Sequence, residues 1–187
     1  MQTTNHDQTN TTKTTTTTET TTETTSNMSD YLWQSRFDIL YQVRLSALYH
    51  RKREGFYDLL DKLTKLAVIV GGSAVFANTS QSSEIGIAVA IAGALSLVFD
   101  YGVKARNHAQ LAQDYGLLES EIEKTGERDF SEKDTNQWRS NLAKIESKEP
   151  PALTNLVKVC ETELYSALGQ KAEALPWYKK ATAHFAN

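Results

Sequence analysis

Apolar positions in this chain follow two different patterns. Across residues 31–63 and 108–185 they recur every three or four residues, the period of helices that bury one face. Between those regions lie two unbroken apolar runs, Leu66–Ala77 and Ile85–Phe99, separated by seven polar residues, 78–84. The second run alternates large and small side chains, but the alternation is in size and not in polarity. Alanine is depleted in strands, so a helix is expected there. The predicted fold is all-α: a two-helix transmembrane hairpin, an amphipathic N-terminal helix and a cytosolic helical bundle.

The amphipathic segments have recognisable ends. Ser29 and Asp30 predict a cap for a helix starting near Tyr31, with Trp33, Phe37, Leu40, Tyr41, Leu45 and Leu48 on one stripe. Gly55 is expected to bend or interrupt it. After the second run, His108, Leu111, Tyr115, Leu118 and Ile122 form an a/d seam that Gly126 should end. Ser131 and Asp134 have the spacing of a capping box, followed by Trp138, Leu142 and Ile145. Pro150 and Pro151 stop that helix, and Gly169 ends the next, whose stripe is Leu153, Leu156, Cys160, Leu164 and Leu168. A last amphipathic helix over Ala172–Phe185 should carry Ala174, Tyr178, Ala181 and Phe185.

Charge decides how the apolar runs are read. Lys62 and Lys65 precede the first, Lys104 and Arg106 follow the second, and the loop between has one acid, Glu84, and no base. Basic flanks are retained on the cytoplasmic side, so this layout predicts a multi-pass hairpin with both termini in the cytoplasm. Runs of twelve and fifteen residues fall short of a ~30 Å hydrocarbon core, which favours a buried soluble hairpin as the rival. Amphipathic flanks and snorkelling lysines extend the reach. Asp100 must then sit at the interface or face a partner. Small residues, Gly71, Gly72 and Ser73 in the first run and Gly86, Ala90, Gly93 and Ser96 in the second, would let helix backbones approach closely.

The expected organisation is a disordered Thr-rich tail over 1–28, an amphipathic helix over 29–65, a transmembrane hairpin over 66–103 (helices about 62–78 and 85–103) and a cytosolic helical region over 104–187. Threonine forms helices poorly, and the tail has too little apolar surface to order itself. The tail has no apolar stretch of the kind a secretory signal needs, and Met28 is a candidate start of translation.

Composition excludes several function classes. Mean hydropathy is low at −0.47 only because the apolar residues are concentrated and the first segment is nearly pure threonine. A net charge of −3 argues against general binding to nucleic-acid duplexes. The single cysteine, Cys160, excludes an internal disulfide framework and is expected to be a buried, inert thiol. Gly71-Gly72-Ser73 has no preceding strand and no following Lys, so it is no phosphate loop. His6, His50, His108 and His184 lack ligand spacing, and His108 is read as a packing residue. No catalytic residue, metal set or cofactor is nominated, and the chain is expected not to be an enzyme.

The order of amphipathic helix, short-looped hairpin and long cytosolic helix, with the segments Arg106–Leu118, Ile145–Pro151 and Cys160–Tyr165, resembles the SLATT group of two-transmembrane bacterial effector domains over residues 31–168. The resemblance implies an antiphage or conflict effector of the bacterial inner membrane. Its partners would be the lipid bilayer, further copies of itself and a nucleotide second messenger that opens a pore. Arg44, Arg51, Lys52, Arg53 and Arg106 are the candidates for an anionic ligand, while Ser73 and Ser96 are candidates to line the path. The threonine tail and the last helix depart from the simplest layout of that group. The rivals are a membrane-anchored scaffold that localises a partner and a soluble helical bundle with a buried hairpin.

Overall fold

The computed structural model describes residues 12–76, 82–127, 129–171 and 175–185. Six helices follow one another: α1 Thr12–Phe76, α2 Ser82–Phe99, α3 Tyr101–Lys124, α4 Glu132–Glu146, α5 Thr154–Ala167 and α6 Trp177–Thr182. Every element among the described residues is helical, as the apolar periodicity predicts.

α1 runs 65 residues without interruption. Two expectations are corrected by it, the cap at Ser29 and Asp30 and the break at Gly55; the helix begins at Thr12, inside the segment 1–28 expected to be a disordered tail. Residues 1–11 lie outside the described residues. Adding a residue to an existing helix gains one hydrogen bond without a new nucleus. A stretch of weak helix formers can therefore continue a helix that packing has already fixed further along. Gly55 is carried through by the packing on either side, where Arg53 is buried and Phe56 and Tyr57 are half-buried.

α2 and α3 return antiparallel to α1. Arg44 pairs with Glu119 and Glu123, His50 meets His108, Tyr57 meets Tyr101, and Gly102 lies beside Asp61. One core forms where α4 closes over the α1–α3 pair: Ile39, Val43 and Ala47, the seam Leu111, Tyr115, Leu118 and Ile122, and Trp138, Leu142 and Ile145. A second joins Tyr49 to Leu156 and Cys160 of α5 and to Ala183 beyond α6.

The expected second span over 85–103 is divided in two. Asp100 takes a left-handed conformation (φ 42°, ψ 56°), ending α2 and capping α3 by accepting from the Val103 N–H at 3.3 Å. Its exposed carboxylate thus has a local partner. At the start of α4 the Asp134 carboxylate accepts from the Ser131 N–H and hydroxyl, at 2.8 and 2.7 Å. α5 ends in a Schellman motif: Gly169 is at φ 72°, with Gly169 N–H donating to the Ser166 carbonyl and Gln170 N–H to that of Tyr165.

The last helix departs from its expected register. Pro176 precedes a six-residue α6, and Ala183 is buried while Tyr178, Ala181 and Phe185 are exposed. Ala183 packs against Tyr49 of α1 and Leu156 and Cys160 of α5, while His184 and Phe185 lie against Phe56. Ala174 lies outside the described residues.

Candidate functional site

Two features stand apart from the packed cores. The first is a polar cluster where α1, α3 and the loop after α4 meet. His50 continues the buried stripe Ile39, Val43, Ala47 of α1, and His108 opens the seam of α3. Helical pitch therefore turns both rings toward the same interface, and their Nδ1 atoms lie 2.8 Å apart. Glu149 arrives from the α4–α5 loop, which the Tyr49 hydroxyl holds by accepting from the Leu153 N–H at 3.1 Å. Glu149 Oε1 lies 2.7 Å from His50 Nε2 and accepts from the Tyr115 hydroxyl at 2.5 Å.

The hydrogen-bond pattern fixes one proton and constrains a second. A carboxylate can only accept, so His50 Nε2 donates to it, and the Nδ1 contact needs one bare nitrogen. The set is satisfied with both rings neutral when His108 Nδ1–H donates to a bare His50 Nδ1. Burial, with electrostatic repulsion from His50 and Arg53, pushes His108 down to about 4, against an upward pull from Glu149. Burial would raise the Glu149 carboxyl, but the hydrogen bonds from His50 and Tyr115 outweigh it and hold it below its ordinary value. Burial and the Glu149 carboxylate push the Tyr115 hydroxyl far up.

Beside this cluster opens a cavity of about 550 Å³, lined among others by Arg53, Tyr57, Lys104, His108, Lys148 and Glu149. Of the five basic residues proposed for an anionic ligand, Arg53 alone lines it. Arg44 is held by Glu119 at 2.6 Å and Glu123 at 2.5 Å, and Lys52 by Glu163 at 2.8 Å. Arg51 is exposed, and Arg106 lines a shallow acidic groove with Glu54, Asp58 and Asp61. The five do not converge. Sequence reasoning missed His50, Tyr57, Tyr115 and Glu149. For His50 the signal was present, three residues after Ala47 on the buried stripe. Among the described residues, no group of three or more His, Cys, Asp or Glu side chains is placed to hold a metal ion.

The second feature is the apolar hairpin. Leu59, Leu63, Leu66, Ile69 and Val70 of α1 and Ile87, Ile91, Leu95, Val98 and Phe99 of α2 are all exposed, Ile69 to 66% and Val98 to 78%. The bundle does not cover this hairpin, so the buried-hairpin alternative does not describe the fold. Among the described residues one stretch, Gly86–Lys124, is long and apolar enough to cross a membrane, and its apolar window is wholly unburied. Residues 77–78 of the expected first span and 78–81 of its loop lie outside the described residues.

The small residues divide between two faces. Gly86, Gly93 and Ser96 are half-buried, and Gly93 and Ser96 line a groove with Thr64, Val68 and Ile69. Ala90 and Ala94 are exposed. On α1, Gly71 and Gly72 are half-buried, while Ser73 is exposed and donates back to the Ile69 carbonyl at 2.8 Å. Searches against protein-family models, curated proteins and solved structures find no match to this chain.

Proposed function

We propose that this protein is an oligomeric membrane effector whose hairpin inserts in the bacterial inner membrane and forms a pore when the cytosolic bundle receives a signal. The observation that carries the reading is the contiguous exposed apolar surface of the hairpin, far larger in side-chain content than the scattered apolar residues of an ordinary soluble surface. Its length comes close. Exposed leucines begin at Leu59, so the apolar face of α1 spans roughly 26 Å to Phe76 at 1.5 Å per residue. The apolar residues 85–99 of α2 span roughly 22 Å, so the flanking residues must complete the ~30 Å hydrocarbon core.

Lys62 and Lys65 at the bundle end of α1 are paired with Asp58 and Asp61 one turn away, at 2.7 and 2.6 Å. Pairing lowers the cost of holding these charges near lipid. The basic flanks place both termini on the cytoplasmic side in this reading. One hairpin cannot enclose a water path, so several copies are needed, and Ala90 and Ala94 offer a small outward face for them. Antiphage action and a nucleotide signal enter from the resemblance to the SLATT group.

The test is release of a trapped dye from vesicles carrying the reconstituted protein. Flux requires the pore. A protein that stays with the bilayer after a high-salt wash but never releases dye, with or without nucleotides, is an anchored scaffold. A protein recovered in the wash without detergent overturns the membrane reading.

A further inference from the structure

Arg53 and Lys104 share one aromatic ring. The Arg53 guanidinium carbon lies 4.5 Å from the Tyr57 centroid, and the Lys104 ammonium lies 5.7 Å from it. Among the described residues neither cation has an ion-pair partner. Arg53 is only 8% exposed. Its two hydrogen bonds go to neutral oxygens, the His184 carbonyl at 3.0 Å and the Tyr57 hydroxyl, and its buried Nε has no partner. A guanidinium removed from water without a counter-charge is costly, and an anion offsets that cost. Glu149 lines the same cavity, but its Oε1 already accepts from His50 and Tyr115.

The cavity surrounds these cations with the amides Asn107 and Gln110 and the aromatic wall of Tyr49 and Tyr57. Its position is also informative. Lys104 lies over Phe99, where the exposed hairpin begins, and Tyr101 stacks on both Phe99 and Tyr57. We propose that this cavity mouth binds a phosphate ester, held by Arg53 and Lys104 with Tyr57 between them. A phosphate ester offers several acceptor oxygens to a fork of guanidinium donors, an ammonium and two amides, which a carboxylate with two oxygens cannot match. The ester can come from an anionic lipid headgroup at the foot of the hairpin or from a soluble phosphate ester. The lipid source rests on the membrane reading above; the site itself does not.

The full chain in detergent micelles, titrated separately with phosphatidylglycerol, diacylglycerol and ATP, tests this by native mass spectrometry. The expected result is one phosphatidylglycerol or one ATP retained per chain, and no diacylglycerol. Lys104 is exposed, so Lys104→Gln should keep the helical circular-dichroism signal while weakening retention about tenfold, the loss of one charge-assisted contact. Arg53→Gln should weaken it at least as much. Retention of lipid alone assigns the lipid source, and retention of ATP alone the soluble one. Retention no greater than that of diacylglycerol, or unchanged in Lys104→Gln, overturns the proposal. A chain recovered without detergent fails the membrane reading but still reports on the site through the ATP arm.

Discussion

His50 and His108 touch through their Nδ1 atoms at 2.8 Å across a sequence separation of 58 residues. That contact joins α1 to α3, and Glu149 extends it to the loop after α4. Three segments are thus held together by one buried polar set, in which each member satisfies another. Such sets tolerate partial loss poorly, because the survivor is left buried and unpaired. Removing the Tyr115 hydroxyl is the mildest cut. Tyr115→Phe should cost about 1 kcal/mol, the net worth of a typical hydrogen bond and somewhat more for a charged acceptor, measured by urea unfolding in detergent.

Acid should weaken the same interface. His108 is held at about 4 against an ordinary 6.5, so between those values the unfolded chain binds a proton that the folded chain does not. Stability therefore falls as pH falls through that window. The depressed Glu149 carboxyl contributes stability that is lost as pH falls through its folded value, which is the same direction. From pH 7 to 5 the expected loss from His108 is about 1–2 kcal/mol, or roughly 2–6 °C in melting temperature. His108→Gln should flatten the pH profile in this range, and an unchanged slope would show that the ring titrates freely in the fold.

The junction at Asp100 separates two contributions, a cap and a left-handed backbone. Asp100→Ala loses the cap and sets a β-carbon residue at φ 42°, for an expected cost of about 1–2 kcal/mol. Asp100→Asn retains both properties and should be near neutral. Asp100→Gly, which loses the cap but relieves the backbone, should fall between them in thermal unfolding followed by circular dichroism.

The two small-residue faces of α2 make opposite predictions. A β-carbon added at Gly93 meets no atom within 4 Å, so Gly93→Ala should leave folding and self-association unchanged. Ala90→Leu with Ala94→Leu alters the outward face. It should reduce cross-linked oligomers and dye release from vesicles several-fold while the chain remains in the bilayer.

Cys160 sits fully buried beside Leu156 and Tyr49, and burial pushes its thiol up to about 12. A thiol so rarely ionised at neutral pH is a poor nucleophile. Maleimide labelling should be negligible in the folded protein and complete once urea unfolds it.

How far the sequence reveals this structure depends on the range of each signal. The α3 seam and the Ser131–Asp134 cap are local patterns and stand in the structure as the spacing implies. The continuation of α1 to Thr12 was hidden because residue propensity describes isolated segments, whereas propagation depends on what the helix is already joined to. The register of the last segment depends on where Ala183 meets Tyr49 of α1 and Leu156 and Cys160 of α5, contacts that lie far apart in sequence. The polar cluster required knowing that α1 and α3 pair in the register that sets His50 against His108. No local pattern carries that information.

α1 belongs to the bundle and to the hairpin at once, with no hinge between them. Twenty residues separate His50 from Val70, roughly 30 Å of continuous α-helix. A continuous helix of that length gives the histidine pair and the greasy end one shared rigid axle. On the return path the helix is broken at Asp100, so only one limb of the molecule is a single unbroken rod.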